Sequence, residues 1–115
     1  MAGDCLFCDI VAGEVPATVV RDGGRTLAFR DDNPQAPTHV LVISKDHHAD
    51  LAGLAAADPA LLAEVLSEAV AAAADEGLDD RGYRLVLNTG ADGGQTVAHV
   101  HAHLLGGRAM RWPPG

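Results

Sequence analysis

A chain of 115 residues with 48% hydrophobic residues carries enough apolar material for one compact domain and too little length for two. Sixteen acidic against eight basic residues leave a formal net charge of −8, which argues against a polynucleotide partner; a single small phosphate held by backbone N–H groups and imidazoles stays open. No apolar run approaches the ~20 residues of a membrane span, and Met1–Cys5 lacks the basic and hydrophobic parts of a signal peptide, so a cytoplasmic protein with no membrane partner is expected.

Cys5 and Cys8 open the chain as a C-x-x-C pair. In a cytoplasmic protein a persistent disulfide is not expected, which leaves metal, redox chemistry or two inert buried thiols. A redox pair of the thioredoxin kind sits between a strand and a helix; this one precedes any strand, which favours zinc over redox. Leu6, Phe7, Ile10 and Val11 have one-face helical spacing, and Gly13 stops the short helix that they predict over Cys5–Ala12. Strands are predicted at Ala17–Arg21 and Thr26–Arg30, joined as an antiparallel hairpin by the turn-forming Asp22-Gly23-Gly24-Arg25. Asp31 to Pro37, with two prolines, reads as a loop.

Val40, Val42 and Ile43 mark a third strand over His39–Ser44, followed by the polar Lys45-Asp46-His47-His48 and a short apolar segment. Asp58 as N-cap and Pro59 in the first turn then start a long helix that runs to about Glu76, with Gly77 as its stop and Leu61, Leu62, Val65, Leu66, Ala69 and Val70 on its inward face. A fourth strand is predicted at Arg84–Thr89. The fifth holds His99-Val100-His101-Ala102-His103-Leu104-Leu105, half of the six histidines within five positions. Side chains in a strand repeat every two residues, so the three imidazoles share one face and Val100, Ala102 and Leu104 take the other. The elements predict an α+β fold: a five-stranded antiparallel sheet with one long helix packed on it and a short N-terminal helix.

A histidine strand of this kind is either a metal strand, a chance tract or a reactive surface; alternation with core-type aliphatics favours the last. Asn88 to Thr96 holds three glycines in five positions just before it. Alone that is an ordinary hairpin loop, but feeding into the histidines it could bring backbone N–H groups and the Thr96 hydroxyl to the same anion. Several imidazoles and an anion cradle, with neither a serine nucleophile motif nor a Walker lysine, suit phosphoryl or nucleotidyl transfer through a phosphohistidine-type intermediate, with the middle histidine, His101, as nucleophile and His99 and His103 beside it.

The run His99–Leu105 resembles the H-φ-H-φ-H-φ-φ signature of the histidine-triad superfamily. Asp31, Asn33 to His39, Asp92-Gly93-Gly94-Gln95, Gly106-Gly107-Arg108 and the ending Trp112-Pro113-Pro114-Gly115 are similar to its Hint (histidine-triad nucleotide-binding) branch, in the same order from Cys5 to the terminus. The resemblance implies a single such domain over 1–115 and a purine nucleoside 5′-phosphoramidase that releases a nucleoside monophosphate. It implies catalytic roles for His101, His103, His99 and Thr96, and a nucleotide site of Phe7, Leu27, Asp31, Asp32, Asn88, Gly94, Gln95, Thr96, His101 and His103. His39 supports the triad. Similarity to the zinc-binding subset implies a structural zinc on Cys5, Cys8, His47 and His99, with His48 as competing ligand and no catalytic metal. A homodimer is implied, its tail of about 108–115 reaching the partner's site through Trp112. Thr96 stands where the family often has serine, and Asp32 at a base-side position that is commonly apolar. The alternatives are a dinucleoside polyphosphate hydrolase and a non-enzymatic nucleotide-binding interaction module.

Overall fold

The computed structural model describes residues 5–115, so the expectation about a signal peptide at residues 1–4 lies outside it. Helix α1 spans Leu6–Val11, strands β1 and β2 span Val19–Asp22 and Thr26–Arg30, and β3 spans Thr38–Ser44. Two helices follow, α2 at Leu51–Ala57 and α3 at Pro59–Asp75, then β4 at Tyr83–Val86 and β5 at His101–Gly106. The strands form one antiparallel sheet in the order β1-β2-β3-β5-β4.

Pleating divides the buried residues between the two faces of the sheet. Ala28, Val40, Val42, Val100, Ala102 and Leu104 pack under Leu61, Val65, Ala69 and Ala72 of α3. Leu27, Phe29, Leu41 and Ile43 pack on the other face with Phe7 of α1. The long helix is delimited as its sequence predicts: the Asp58 carboxylate accepts from Leu61 N–H at 3.0 Å, Pro59 occupies the first turn, and Gly77 beyond the C-terminal end has φ +74°, open to glycine without strain. No described helix is long and apolar enough to cross a membrane.

Several expectations need correction. Leu66 and Val70 are 37% and 52% exposed, because the buried stripe of α3 runs through positions 61, 65, 68, 69 and 72 and leaves them one step around the helix. The segment after His48 contains a capped helix, α2, in which Asp50 accepts from Gly53 N–H at 2.8 Å; seven residues with only Leu54 buried give too little periodicity to declare it. Strand β1 begins at Val19 and includes Asp22, and its pairing slips between Val19 and Arg21. Strand β4 ends at Val86, its last partner being His103, so residues 87–89 leave the ladder. Strand β5 starts at His101 and not at His99, since Val100 N–H donates to His48 O at 2.7 Å instead of to a sheet neighbour.

Candidate active site and metal centre

The α1 side of the sheet is also the histidine side. His101 and His103 pair across β3 with Ile43 and Leu41, both of the Phe7 cluster. The edge of the Phe7 ring meets His101 at a centroid distance of 5.0 Å and His99 at 5.9 Å, so α1 is seated against the triad. A cavity of about 250 Å³ opens beside it, lined by His101, His103 and Thr96 at one part and by Asp31 and Asp32 at another. Its apolar wall includes Leu6, Phe7, Ile10, Val15, Phe29 and Val97.

Hydrogen bonds assign the proton positions. A carbonyl oxygen can only accept, so the 2.7 Å contact between His101 Nδ1 and His99 O places hydrogen on Nδ1 and leaves Nε2 with the lone pair. The opposite polarity holds at His103. Gln35 N–H donates to His39 Nδ1 at 3.0 Å, which puts the His39 proton on Nε2; that N–H then meets His103 Nδ1 at 2.9 Å, with Asp31 Oδ2 further off at 3.4 Å. His103 therefore carries its own hydrogen on Nε2. Burial pushes its pKa down from 6.5 to about 4, with His101 and His39 adding to the shift, so at neutral pH it donates as a neutral imidazole. Burial also lowers His39, against the pull of Asp31, whose Oδ2 lies 3.4 Å from His39 Nε2.

His99, fully buried, turns to a second cluster. Its Nε2–H donates to Ser44 O at 2.7 Å, which leaves Nδ1 bare and aimed at Cys5 Sγ, 3.4 Å away, Cys8 Sγ, 3.6 Å, and His47 Nδ1, 3.2 Å; Cys8 Sγ and His47 Nδ1 are 3.4 Å apart. A zinc tetrahedron with bonds of about 2.3 Å to sulfur and about 2.0–2.1 Å to nitrogen has S···N edges near ~3.6 Å and N···N edges near ~3.3 Å. The four pairs just given stand close to those separations and all the donor atoms lie within 4.8 Å of one another, so Cys5, Cys8, His47 and His99 form a closed Cys2His2 site suited to structural zinc. The His48 imidazole is not a member of this cluster. Cys5 also caps α1 by accepting Cys8 N–H at 3.4 Å, so the C-x-x-C spacing is the first turn of that helix.

A HIT domain matches residues 12–110. The chain belongs to the HIT family. A 14 kDa zinc-binding protein of Zea mays is 50% identical over 113 residues, covering 96% of this chain and 87% of that one. A HIT family hydrolase of Legionella pneumophila superimposes with a TM-score of 0.93 at 55% identity, over 96% of this chain and 99% of its own. A histidine triad nucleotide-binding protein of Candida albicans does so at 0.82 and 31% identity, over 95% and 82%.

Within this HIT fold the sequence-derived site residues are unevenly gathered. Phe7, Asp31, Asp32, Thr96, His101 and His103 line the cavity. Leu27 is buried beneath it in the Phe7 cluster. Asn88 is half-buried, two residues past the end of β4. Gly94 N–H donates to Ala91 O at 3.1 Å, and the Gln95 side chain binds Gly90 N, Ala49 O and Val97 O, so both hold the glycine-rich loop together. Trp112 is 81% exposed. The apolar wall from Val15 and Val97 was not foreseen; both lie in irregular segments where periodicity carries no signal. Nor was the Gln35 amide, a backbone donor that no side-chain pattern reveals.

Proposed function

We propose that this HIT protein is a phosphoramidase of the Hint type, a hydrolase that cleaves the P–N bond of purine nucleoside 5′-phosphoramidates through a nucleotidyl-histidine. The observation that carries the reading is the 2.7 Å bond from His101 Nδ1–H to His99 O, because it leaves a bare Nε2 on a histidine that lines the cavity. In the first step the Nε2 lone pair forms a bond to phosphorus as the P–N bond breaks, and the amine keeps that electron pair and takes up a proton. Water then attacks the same phosphorus, the P–Nε2 bond breaks, the nucleoside monophosphate departs, and one proton returns to solvent. The neutral His103 N–H and the Thr96 hydroxyl stand beside His101 as donors to phosphoryl oxygens and to the departing amine. Asp31, which lines the same cavity, would accept from ribose hydroxyls, and the Phe7 and Phe29 wall would pack against the base.

Zinc has no step here. Bound at the Cys2His2 site it would hold α1 against the sheet and restrain the His99 backbone that orients His101. The reading includes a homodimer. It is supported by exposed Leu66 and Val70 on α3 and by β4 standing at the sheet edge.

Rapid quenching with an adenosine phosphoramidate should yield a peptide containing His101 with one added nucleotidyl group, and His101→Ala should lower kcat/KM by at least ~10³ while a nucleoside monophosphate still binds. Turnover in that variant near the wild-type rate would refute the covalent route.

A further inference from the structure

Two carboxylates line the cavity beside the triad, and their surroundings differ. Asp31 is committed: its Oδ1 accepts from Asn33 N–H at 2.8 Å, and its Oδ2 lies 3.4 Å from His39 Nε2, next to His103. Asp32, the following residue, makes no side-chain hydrogen bond and no ion pair among the described residues. It is exposed, so it stands at the mouth of the cavity. Arg30 also lines the cavity, but both of its Nη atoms are held by the Glu76 carboxylate, at 2.8 and 3.1 Å, and it does not neutralise Asp32. An ionised acceptor with both oxygens uncommitted is therefore aligned with an otherwise apolar wall.

The order of these groups sets what Asp32 can meet. Asp31 is tied to the His39–His103 pair, and Asp32 lies one residue further from it, toward solvent. A nucleotide with its phosphorus at His101 and its ribose at Asp31 carries its base past Asp32. Leu6, Phe7, Ile10, Val15, Phe29 and Val97 can cover the faces of a base but offer its edge no hydrogen bond. The edge is left to Asp32. An ionised carboxylate only accepts, and it does so through two oxygens side by side. Guanine presents two adjacent donors, N1–H and the 2-amino group, which match that pair. Adenine presents its 6-amino donor beside the bare lone pair of N1, which a carboxylate repels.

We propose that Asp32 is the specificity-determining residue of this cavity and that it selects guanine over adenine, accepting from N1–H and the 2-amino group through its two carboxylate oxygens. The inference rests on the reading of the cavity as a nucleotide site and adds to it the identity of the base.

The test compares guanosine, inosine and adenosine in two forms: kcat/KM for the three 5′-phosphoramidates of one amine, and equilibrium binding of the three 5′-monophosphates. Wild-type protein, Asp32→Asn, Asp32→Ala and the control Asp80→Asn, which removes the same charge from an exposed turn outside the cavity, are assayed in parallel. Guanosine should lead adenosine by about tenfold in the wild type, the lower end of bidentate base recognition because Asp32 is exposed to water. Inosine, which keeps N1–H and lacks the 2-amino group, should fall between them. Asp32→Asn should reverse the order, since its oxygen accepts from the 6-amino group of adenine while its NH2 donates to N1. Asp32→Ala should level the three bases, and Asp80→Asn should keep the wild-type order. A wild-type guanosine-to-adenosine ratio near one, a preference that survives Asp32→Ala, or an unchanged order in Asp32→Asn overturns the proposal. Monophosphates that bind in the expected order while no phosphoramidate is turned over refute the hydrolase reading and sustain the role of Asp32. Turnover without base preference does the reverse, and neither binding nor turnover refutes both.

Discussion

His99 shows how much one residue can settle with both ring nitrogens and its carbonyl. Its Nδ1 faces the thiols, its Nε2–H is held by Ser44 O, and its carbonyl fixes the tautomer of His101. A second chain of hydrogen bonds, from Gln35 N–H through His39 to His103, fixes the tautomer on the other side of His101. Replacing His39 with Ala frees His103 to change tautomer, and kcat is expected to fall ~10- to 100-fold with KM changed less, as steady-state kinetics on an adenosine phosphoramidate would check. His103 also links stability to pH. Its folded pKa of about 4 lies below the ordinary 6.5, so the unfolded chain binds the proton more readily; this contribution is complete above pH 6.5 and is lost as pH falls through about 4. Urea midpoints should therefore drop between pH 7 and pH 4.5, and drop less in His103→Asn.

At the scale of elements, the Cys2His2 cluster joins α1 to the loop after β3 and to His99, beside the packing of Phe7 on the sheet. Helix α1 is six residues long, too short to persist on propensity alone, and relies on Phe7 and on the Cys5 and Cys8 thiols. Protein purified without added metal should contain about one zinc per chain by elemental analysis. The Cys5→Ser/Cys8→Ser double variant should lose it and melt roughly 10 °C lower. On the opposite face, Leu104 is fully buried between the sheet and α3, and Leu104→Ala should cost about 2–5 kcal/mol in urea denaturation through the cavity it leaves. These elements were unequally readable. The Asp58–Pro59 start and Gly77 stop of α3 are local signals and lie where they were expected, whereas α2 buries only Leu54 and so shows no period, and the ends of β4 and β5 depend on which distant backbone accepts a hydrogen bond.

For the whole molecule, the tail is the part whose role the single chain leaves open to test. Arg84 binds Arg111 O and so holds residues near the C-terminus along β4, while the indole of Trp112 faces solvent. An indole so placed suits contact with a second copy. Light scattering at micromolar concentration should report a dimer of about twice the 11.8 kDa chain mass. Truncation after Gly107 removes Arg108, Arg111 and Trp112 together, and should alter selectivity among leaving groups more than affinity for a nucleoside monophosphate, checked by comparing several amines with an equilibrium binding titration.

The chemistry of this protein was present in the sequence because it depends on residue type at short spacing: alternation alone puts His101 and His103 on one face, and C-x-x-C alone brings two thiols to one helical turn. The inward face of α3 was only partly legible, since a wide apolar stripe does not say which edge meets the sheet, and Leu66 and Val70 were left outside. Tertiary structure alone decided which nitrogen of each histidine carries the proton and that three arginines from β4 and the tail, none ion-paired among the described residues, meet in one groove, and it bears out His47, named from the family resemblance, over His48 as the partner of the thiols. Those outcomes rest on contacts between residues as far apart as Cys5 and His99, and such contacts exist only once the chain has closed its loops.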